Sequence, residues 1–483
     1  LQHLALLRAK LSIDLACTNG GTTVDSHSSA GTAFSAGLSR RSLIQASAGA
    51  VALSALLAAC SSPSGAKGGG GGAKEITFWN FYGPAPDNNP QSKWFVKLAD
   101  DWNAKHDVKV KLRYIPTSEY QNGNTLQTAF ASGSGPDVFL LSPGDFLRYY
   151  NGGVLQDLTP QIKPDALADF LPGTLDTRKV GDKVYAVPME SEPLAMFYDK
   201  KAFTSVGLTD KDVPKTWDDL LTTAKKLTTS KRFGVAFETT PGYYQNFTWY
   251  PFMWENNGAP VSADAKSSTF NSSAVKSALQ FWGDSISMGV APKKLLGSGA
   301  GDLAANLGSG YVAMQQCGIW GLADMQRKAP KVDYGIFQIP TPTAGGKSVT
   351  TLGGWALCAN AKGGNPTAAA EFIAWALASS TPDSVERGRT WNTVVKTNIP
   401  VRSSVQKAAD AENAFADPNM AFFREVVAPN GRGEPRYPPQ VIKPIQDAIQ
   451  AVQLGGKDAA SQAAAAAATI DSYLASYSGA SII

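Results

Sequence analysis

The sequence predicts an α/β protein of two lobes, each a mainly parallel sheet flanked by helices, and three observations predict it. Apolar runs of strand length alternate with amphipathic helical stripes along the body. The body after residue 73 is about 410 residues long, too large for one sheet core. No repeat of fixed period appears. A chain of this length buries enough apolar surface to fold without disulfides or a structural metal.

The elements follow in order. Lys74-Glu75-Ile76-Thr77-Phe78-Trp79 reads as the first strand. A helix over Ser92–His106 carries Trp94, Phe95, Leu98 and Trp102 on one face. Val108, Val110, Leu112 and Tyr114 then alternate with Lys109, Lys111 and Arg113, the period of a strand. A polar helix over 118–132 leads through Gly133-Ser134-Gly135-Pro136 into the strand Asp137–Leu141. Thr216 and Asp219 stand at capping-box spacing before the apolar face Leu220, Leu221, Ala224 and Leu227. Val275, Ala278, Leu279, Trp282 and Ile286 form another helical stripe. Asn365-Pro366 caps a helix through Phe372, Ile373, Ala376 and Leu377. An alanine-rich helix over 458–477 closes the chain, and the aromatic stretch 242–256 reads as a loop.

Residues 1–59 read as an export address. Arg40-Arg41 precedes a short Ala-, Ser- and Gly-rich apolar run that ends at Leu57-Ala58-Ala59-Cys60. The paired arginine resembles a twin-arginine signal, and the tetrapeptide resembles a bacterial lipobox, in which Cys60 is lipidated and becomes the new N-terminus. Residues 1–38, which begin with Leu and show little periodicity, are expected to be absent from the mature protein. Residues 60–73, with five consecutive glycines at 68–72, form a leash. The expected location is the outer face of the cell membrane, held there by the lipid alone.

Composition narrows the chemistry. The 44 basic and 40 acidic residues give a net charge of +4 with no dense basic run, which argues against nucleic acid as a partner. Of His3, His27 and His106, only His106 falls in the expected mature body, so a multi-histidine zinc site is excluded there. His106 lies at a polar helix end and reads as solvated, which leaves a Ser-His-Asp hydrolase without its base. Cys317 and Cys358 each sit in an apolar strand-like run and read as two separate buried thiols. No cofactor is implied, and no phosphate-cradling Gly-x-x-x-x-Gly-Lys-Ser/Thr loop occurs in the body.

Several segments, in order, match one family: Ile76-Thr77-Phe78-Trp79, Gly135-Pro136-Asp137-Val138, Tyr185-Ala186-Val187-Pro188 before Met196-Phe197-Tyr198-Asp199-Lys200, and Pro214-Lys215-Thr216-Trp217. Ala313-Met314 with Gly318-Ile319-Trp320, Gly353-Gly354-Trp355, the stretch 368–379 and Asn398-Ile399-Pro400-Val401-Arg402 complete the series. The body resembles the carbohydrate-binding extracellular solute-binding proteins (family 1) of bacterial ABC importers, the group of the maltodextrin-binding protein. The resemblance implies a type II periplasmic-binding-protein fold, with a hinge of crossing strands and ligand held between the lobes. It places 74–187 plus 342–382 in an N-terminal lobe and 188–341 plus 383–483 in a C-terminal lobe. It further implies a monomer that passes a carbohydrate to the transmembrane subunits of an ABC permease, with no catalysis.

A sugar presents apolar C–H faces and a rim of hydroxyls, so its site needs aromatic rings together with carboxylates, amides or guanidinium groups. Trp79, Trp254, Trp320 and Trp355 fall at strand ends or glycine-rich turns, where the family places its cleft. Gly353 and Gly354 let backbone approach a ligand. Tyr120, Asp145, Glu190, Glu192, Tyr243 and Arg424 are the remaining candidate contacts. Trp94, Trp102, Trp217, Trp282 and Trp375 read as core or structural. Two alternatives stay open. Glu190 and Glu192, two apart on an extended segment, match a glycosidase pair in a secreted carbohydrate-active enzyme, and the same fold can hold a polyol, a peptide or an anion.

Overall fold

Ile76 and Phe78 of the strand Glu75–Asn80 are fully buried, and this strand pairs in parallel with Lys109–Tyr114 on one side and Val138–Leu141 on the other. The computed structural model describes residues 73–122 and 124–482. The expected signal region, Cys60 and the glycine run lie outside them. Ala356–Ala359 and then Val187–Pro188 extend the first sheet antiparallel. Asn89 caps the following helix Pro90–Asn103 by accepting from the Ser92 N–H, and the predicted face of Trp94, Phe95, Leu98 and Trp102 is buried against the sheet. His106 is half-buried rather than solvated. Its ring stacks on Trp102 at 3.4 Å between centroids, with Nδ1 2.9 Å from the Trp102 carbonyl. The polar helix expected over 118–132 is broken into Thr117–Asn122 and Thr125–Ala131.

The second sheet is built on Glu192–Asp199, seven of whose eight residues are buried, as expected for a strand covered on both faces. It runs antiparallel to Met314–Gly318, Tyr334–Phe337 and Thr350–Gly353, while Thr350–Gly353 pairs in parallel with Gly431–Gly433 and Ala236 bridges Gln315 in parallel. The sequence suggested parallel strands here. Connectivity decides otherwise, because Glu192–Asp199 leaves the first sheet and Thr350–Gly353 returns to it.

The aromatic stretch read as a loop is the helix Tyr243–Glu255, with ten of its thirteen residues buried. A helix apolar all round gives no amphipathic signal, because it is enclosed on every side. It packs on Ser273–Ser287 and on the strand Thr350–Gly353. The closing helix Ala459–Leu474 lies along Pro439–Gln453. Among the described residues no helix is long and apolar enough to cross a membrane.

Met189–Ser191 and Gly354–Trp355 join the two sheets, and a third segment runs alongside, where Ser191 and Ile399 exchange N–H···O bonds of 2.8 and 3.2 Å. Thr350–Gly353 belongs to the second sheet, within the 342–382 stretch assigned to the N-terminal lobe. Trp391, from the stretch assigned to the other lobe, packs on Trp94 and Phe95 at 4.7 and 5.4 Å beside the first sheet. Cys317 and Cys358 are free, buried and in different sheets.

Candidate functional site

Where the connecting segments meet, three buried charges hold them together. Lys396 Nζ lies 2.6 Å from Glu192 Oε1 and 3.9 Å from Glu190 Oε1, with all three side chains almost wholly enclosed. The Trp355 N–H donates to Glu190 at 3.0 Å and the Trp391 indole N–H donates to its other oxygen, so one carboxylate ties two segments. Asn398 Nδ2 donates to Glu192 at 3.0 Å, and Lys396 donates to the Tyr82 hydroxyl at 3.1 Å. Burial pushes Glu190 up to about 7 although Lys396 opposes it. Burial alone would lower Lys396; Glu192, Tyr82 and Glu190 outweigh it and hold the ammonium above its ordinary value.

Above this knot a cavity of ≈ 440 Å³ opens between the sheets, within the ordinary range for small-ligand clefts. Phe81, Tyr82, Ser142 and Trp355 line it from the first sheet's side, and Tyr243, Tyr244, Phe247, Trp320, Asp302 and Arg327 from the second's. Three charged side chains in its lining, Glu192, Lys396 and Glu434, are buried. The first turns of the helix Tyr243–Glu255 turn Tyr243, Tyr244 and Phe247 into the cavity. Phe81 meets Trp355 edge-on at 4.6 Å, and Tyr243 meets it at 6.2 Å and 90°. Trp320 donates to the Gly301 carbonyl at 3.3 Å and lies flat over Gly318, where a methyl group would fall 1.8 Å from its ring. Gly354 has φ +127°, and a Cβ there would sit 2.1 Å from the Glu190 carbonyl oxygen, so only glycine fits this turn.

Six of the twelve side chains and glycines singled out in the sequence line this cavity: Glu192, Tyr243, Trp320, Gly353, Gly354 and Trp355. The other six have partners elsewhere. Trp79 is buried under the Arg113 guanidinium at 4.1 Å, because its strand end is covered by the neighbouring strand. The Tyr120 hydroxyl braces two strands, accepting from the Leu140 N–H at 2.8 Å and lying 3.3 Å from the Trp79 carbonyl. Asp145 pairs with Arg148 at 3.0 Å, and Glu190 is sealed beneath the cavity by the bonds above. Trp254 points to the far side of its helix, stacked on Tyr250 with Arg432 over its ring. Arg424 is held by Asp410 at 2.6 Å and Glu425 at 3.1 Å, over Phe415. Sequence reasoning missed Ser142, Phe247, Lys396 and Glu434 as wall residues. Phe81 and Tyr82 carried a signal, since they follow the first strand's end; Lys396 and Glu434 come from distant loops and carried none.

With this geometry in place, likeness to known proteins is informative. The family model for bacterial extracellular solute-binding proteins matches residues 85–380. The diacetylchitobiose binding protein DasA of Streptomyces coelicolor is 27% identical over 78% of this chain and 86% of its own length. An uncharacterized lipoprotein in the oleD 5' region of Streptomyces antibioticus is 28% identical over 54% of this chain, and the match spans 57% of that lipoprotein's length. The fold is that of an ABC transporter solute binding protein from Thermotoga lettingae bound with alpha-D-tagatose, with a TM-score of 0.70 and 22% identity over 83% of this chain and 100% of that one.

Proposed function

This chain belongs to the bacterial extracellular solute-binding proteins, and on that premise we propose that it captures a sugar or oligosaccharide in the cleft and delivers it to an ABC permease. The observation that carries this reading is the cavity wall. Aromatic rings from both sheets face a space whose lining includes buried carboxylates and an ammonium, the pairing that ring faces and hydroxyls require. The sheets act as cores of two lobes that close about the connecting segments. A ligand touching Phe81 and Trp355 on one side and Tyr243 and Trp320 on the other favours the closed form because it gains both sets of contacts only there. The monomer binds without making or breaking a bond. A glycosidase pair must flank the scissile bond, whereas Glu190 lies outside the cavity lining and is bonded to Trp391 and Trp355. The lipobox-like Leu57-Ala58-Ala59-Cys60 supports a lipid tether at Cys60.

A thermal-shift panel of sugars, polyols, amino acids and peptides, read together with tryptophan fluorescence, tests the reading. Stabilisation by a saccharide supports it, and stabilisation by a peptide or inorganic anion alone overturns it. Mass spectrometry of the membrane-extracted N-terminus tests the tether, which an unmodified Cys60 inside an intact chain refutes.

A further inference from the structure

One carboxylate deep in the cleft makes no direct ion pair. Glu434 is 2% exposed and lines the cavity, set there by its N–H, which donates to the Leu352 carbonyl at 3.0 Å. Its carboxylate rests on the Gly144 backbone N–H, so close that a methyl group at Gly144 would lie 2.4 Å from Oε1. Among the described residues no lysine or arginine stands within ion-pair distance of it. Arg178 is the strongest charge influence on it through space; that guanidinium donates to the carbonyls of Thr174 and Gly354 and to the Thr177 hydroxyl, and its Nε has no partner. Beside Gly144, the hydroxyl of Ser142, a residue 5% exposed that also lines the cavity, has no hydrogen-bond partner.

The cations lining the cavity are all engaged. Lys396 is on Glu192 at 2.6 Å, Arg327 on Asp324 at 2.6 Å, and Lys328 is 3.7 Å from both Asp302 and Asp324. A buried carboxylate beside an idle hydroxyl is costly when empty and strongly favours a charged donor over a neutral one. The faces of Trp355, Tyr243 and Phe81 carry the same preference, because aromatic faces attract cations and repel anions.

We infer that Glu434 and Ser142 form a subsite for an ammonium group, so that the captured saccharide bears a free amine and acidic saccharides are rejected. This rests on the reading of the cleft as a saccharide site. The ammonium donates one hydrogen to Glu434 and one to the Ser142 hydroxyl, while its sugar ring lies against the aromatic wall. In the empty cleft, burial holds Glu434 up at about 8, with Arg178 opposing and Asp145 and Glu192 reinforcing. An ammonium arriving at pH 7 therefore expels a proton, and its heat of binding changes with the ionisation enthalpy of the buffer.

The test uses the full chain at pH 7 and four series of one to four sugar units: glucose, N-acetylglucosamine, glucosamine and glucuronate. Calorimetry is run on wild type, Glu434→Gln and Ser142→Ala. The glucosamine series is expected to bind severalfold tighter than the glucose series, the margin of a charge-assisted bond over a neutral one less the cost of expelling the Glu434 proton, with proton release and with no binding of glucuronate. Glu434→Gln is expected to remove that margin. The wild-type comparison stands even if a variant does not fold. Glucose or N-acetylglucosamine oligomers that bind as well as the amines, or a margin that survives Glu434→Gln, overturn the subsite while leaving sugar capture intact. If no saccharide of any series binds, both readings fall.

Discussion

Replacing Lys396 with methionine keeps the length of the side chain and removes its charge from between Glu190 and Glu192. The ammonium is 2.6 Å from one carboxylate and 3.9 Å from the other, and all three side chains are at most 6% exposed. Removing one partner of such a buried set strands the opposite charges, at a cost of about 3–5 kcal/mol near pH 8. That corresponds to a fall in unfolding temperature of about 4–6 °C for a protein of this size. The loss depends on pH. Without Lys396 the Glu190 carboxyl escapes by protonation, so its folded value rises further above the unfolded one. A carboxyl raised in this way contributes stability below its unfolded value and loses it as pH climbs through the folded value. The deficit of Lys396→Met relative to wild type therefore grows from pH 5 to pH 8. Thermal denaturation of both proteins at half-unit steps across that window measures it. A deficit under about 1 °C at pH 8, or one independent of pH, refutes the claim that this lysine holds the connecting segments together.

Other substitutions separate site from scaffold. Trp355→Ala removes a ring shared by both walls and is expected to weaken binding of the stabilising saccharide by about 1–2 kcal/mol, roughly five- to thirtyfold by calorimetry, with little loss of unfolding temperature. Gly354→Ala meets both φ +127° and a 2.1 Å contact with the Glu190 carbonyl oxygen, so it is expected to cost about 3 kcal/mol or more. Gly345→Ala, at φ +77° with open space around it, is expected to cost only about 1 kcal/mol; chemical denaturation compares the two. Glu434 is raised to about 8 by burial, so its stabilising contribution is complete below the ordinary carboxyl range and is lost as pH rises toward 8. Glu434→Gln is therefore expected to raise the unfolding temperature of the unliganded protein at pH 8 and not at pH 4.5. Wild type and Glu190→Gln are both expected to leave chromogenic glycosides unhydrolysed, and turnover lost on that substitution would restore the enzyme reading.

The first sheet was legible because its signals are local. Alternation in Lys109–Tyr114, the Asn365 cap and the Trp94-to-Trp102 stripe all lie within single elements. The helix Tyr243–Glu255 was not, since a segment enclosed on every side shows no period, and Pro251 within it mimics a break. The site divides in the same way. Gly353-Gly354-Trp355 announced itself because paired glycines mark a backbone that must pass close to something. Glu190 and Glu192 were conspicuous in sequence but face different surroundings: one is sealed among Trp391 and the Trp355 N–H, the other lines the cavity. Lys396 and Glu434 gain their meaning only from groups more than 200 residues away, Glu192 for one and Gly144 for the other, and no pattern in a single sequence encodes that distance.

Small-angle scattering on the purified protein, with and without whichever saccharide shifts its unfolding, tests the central claim most directly. Closure about the connecting segments predicts a fall in radius of gyration on the order of 1 Å at saturation. A radius unchanged at full occupancy, or a protein that no saccharide stabilises, contradicts it.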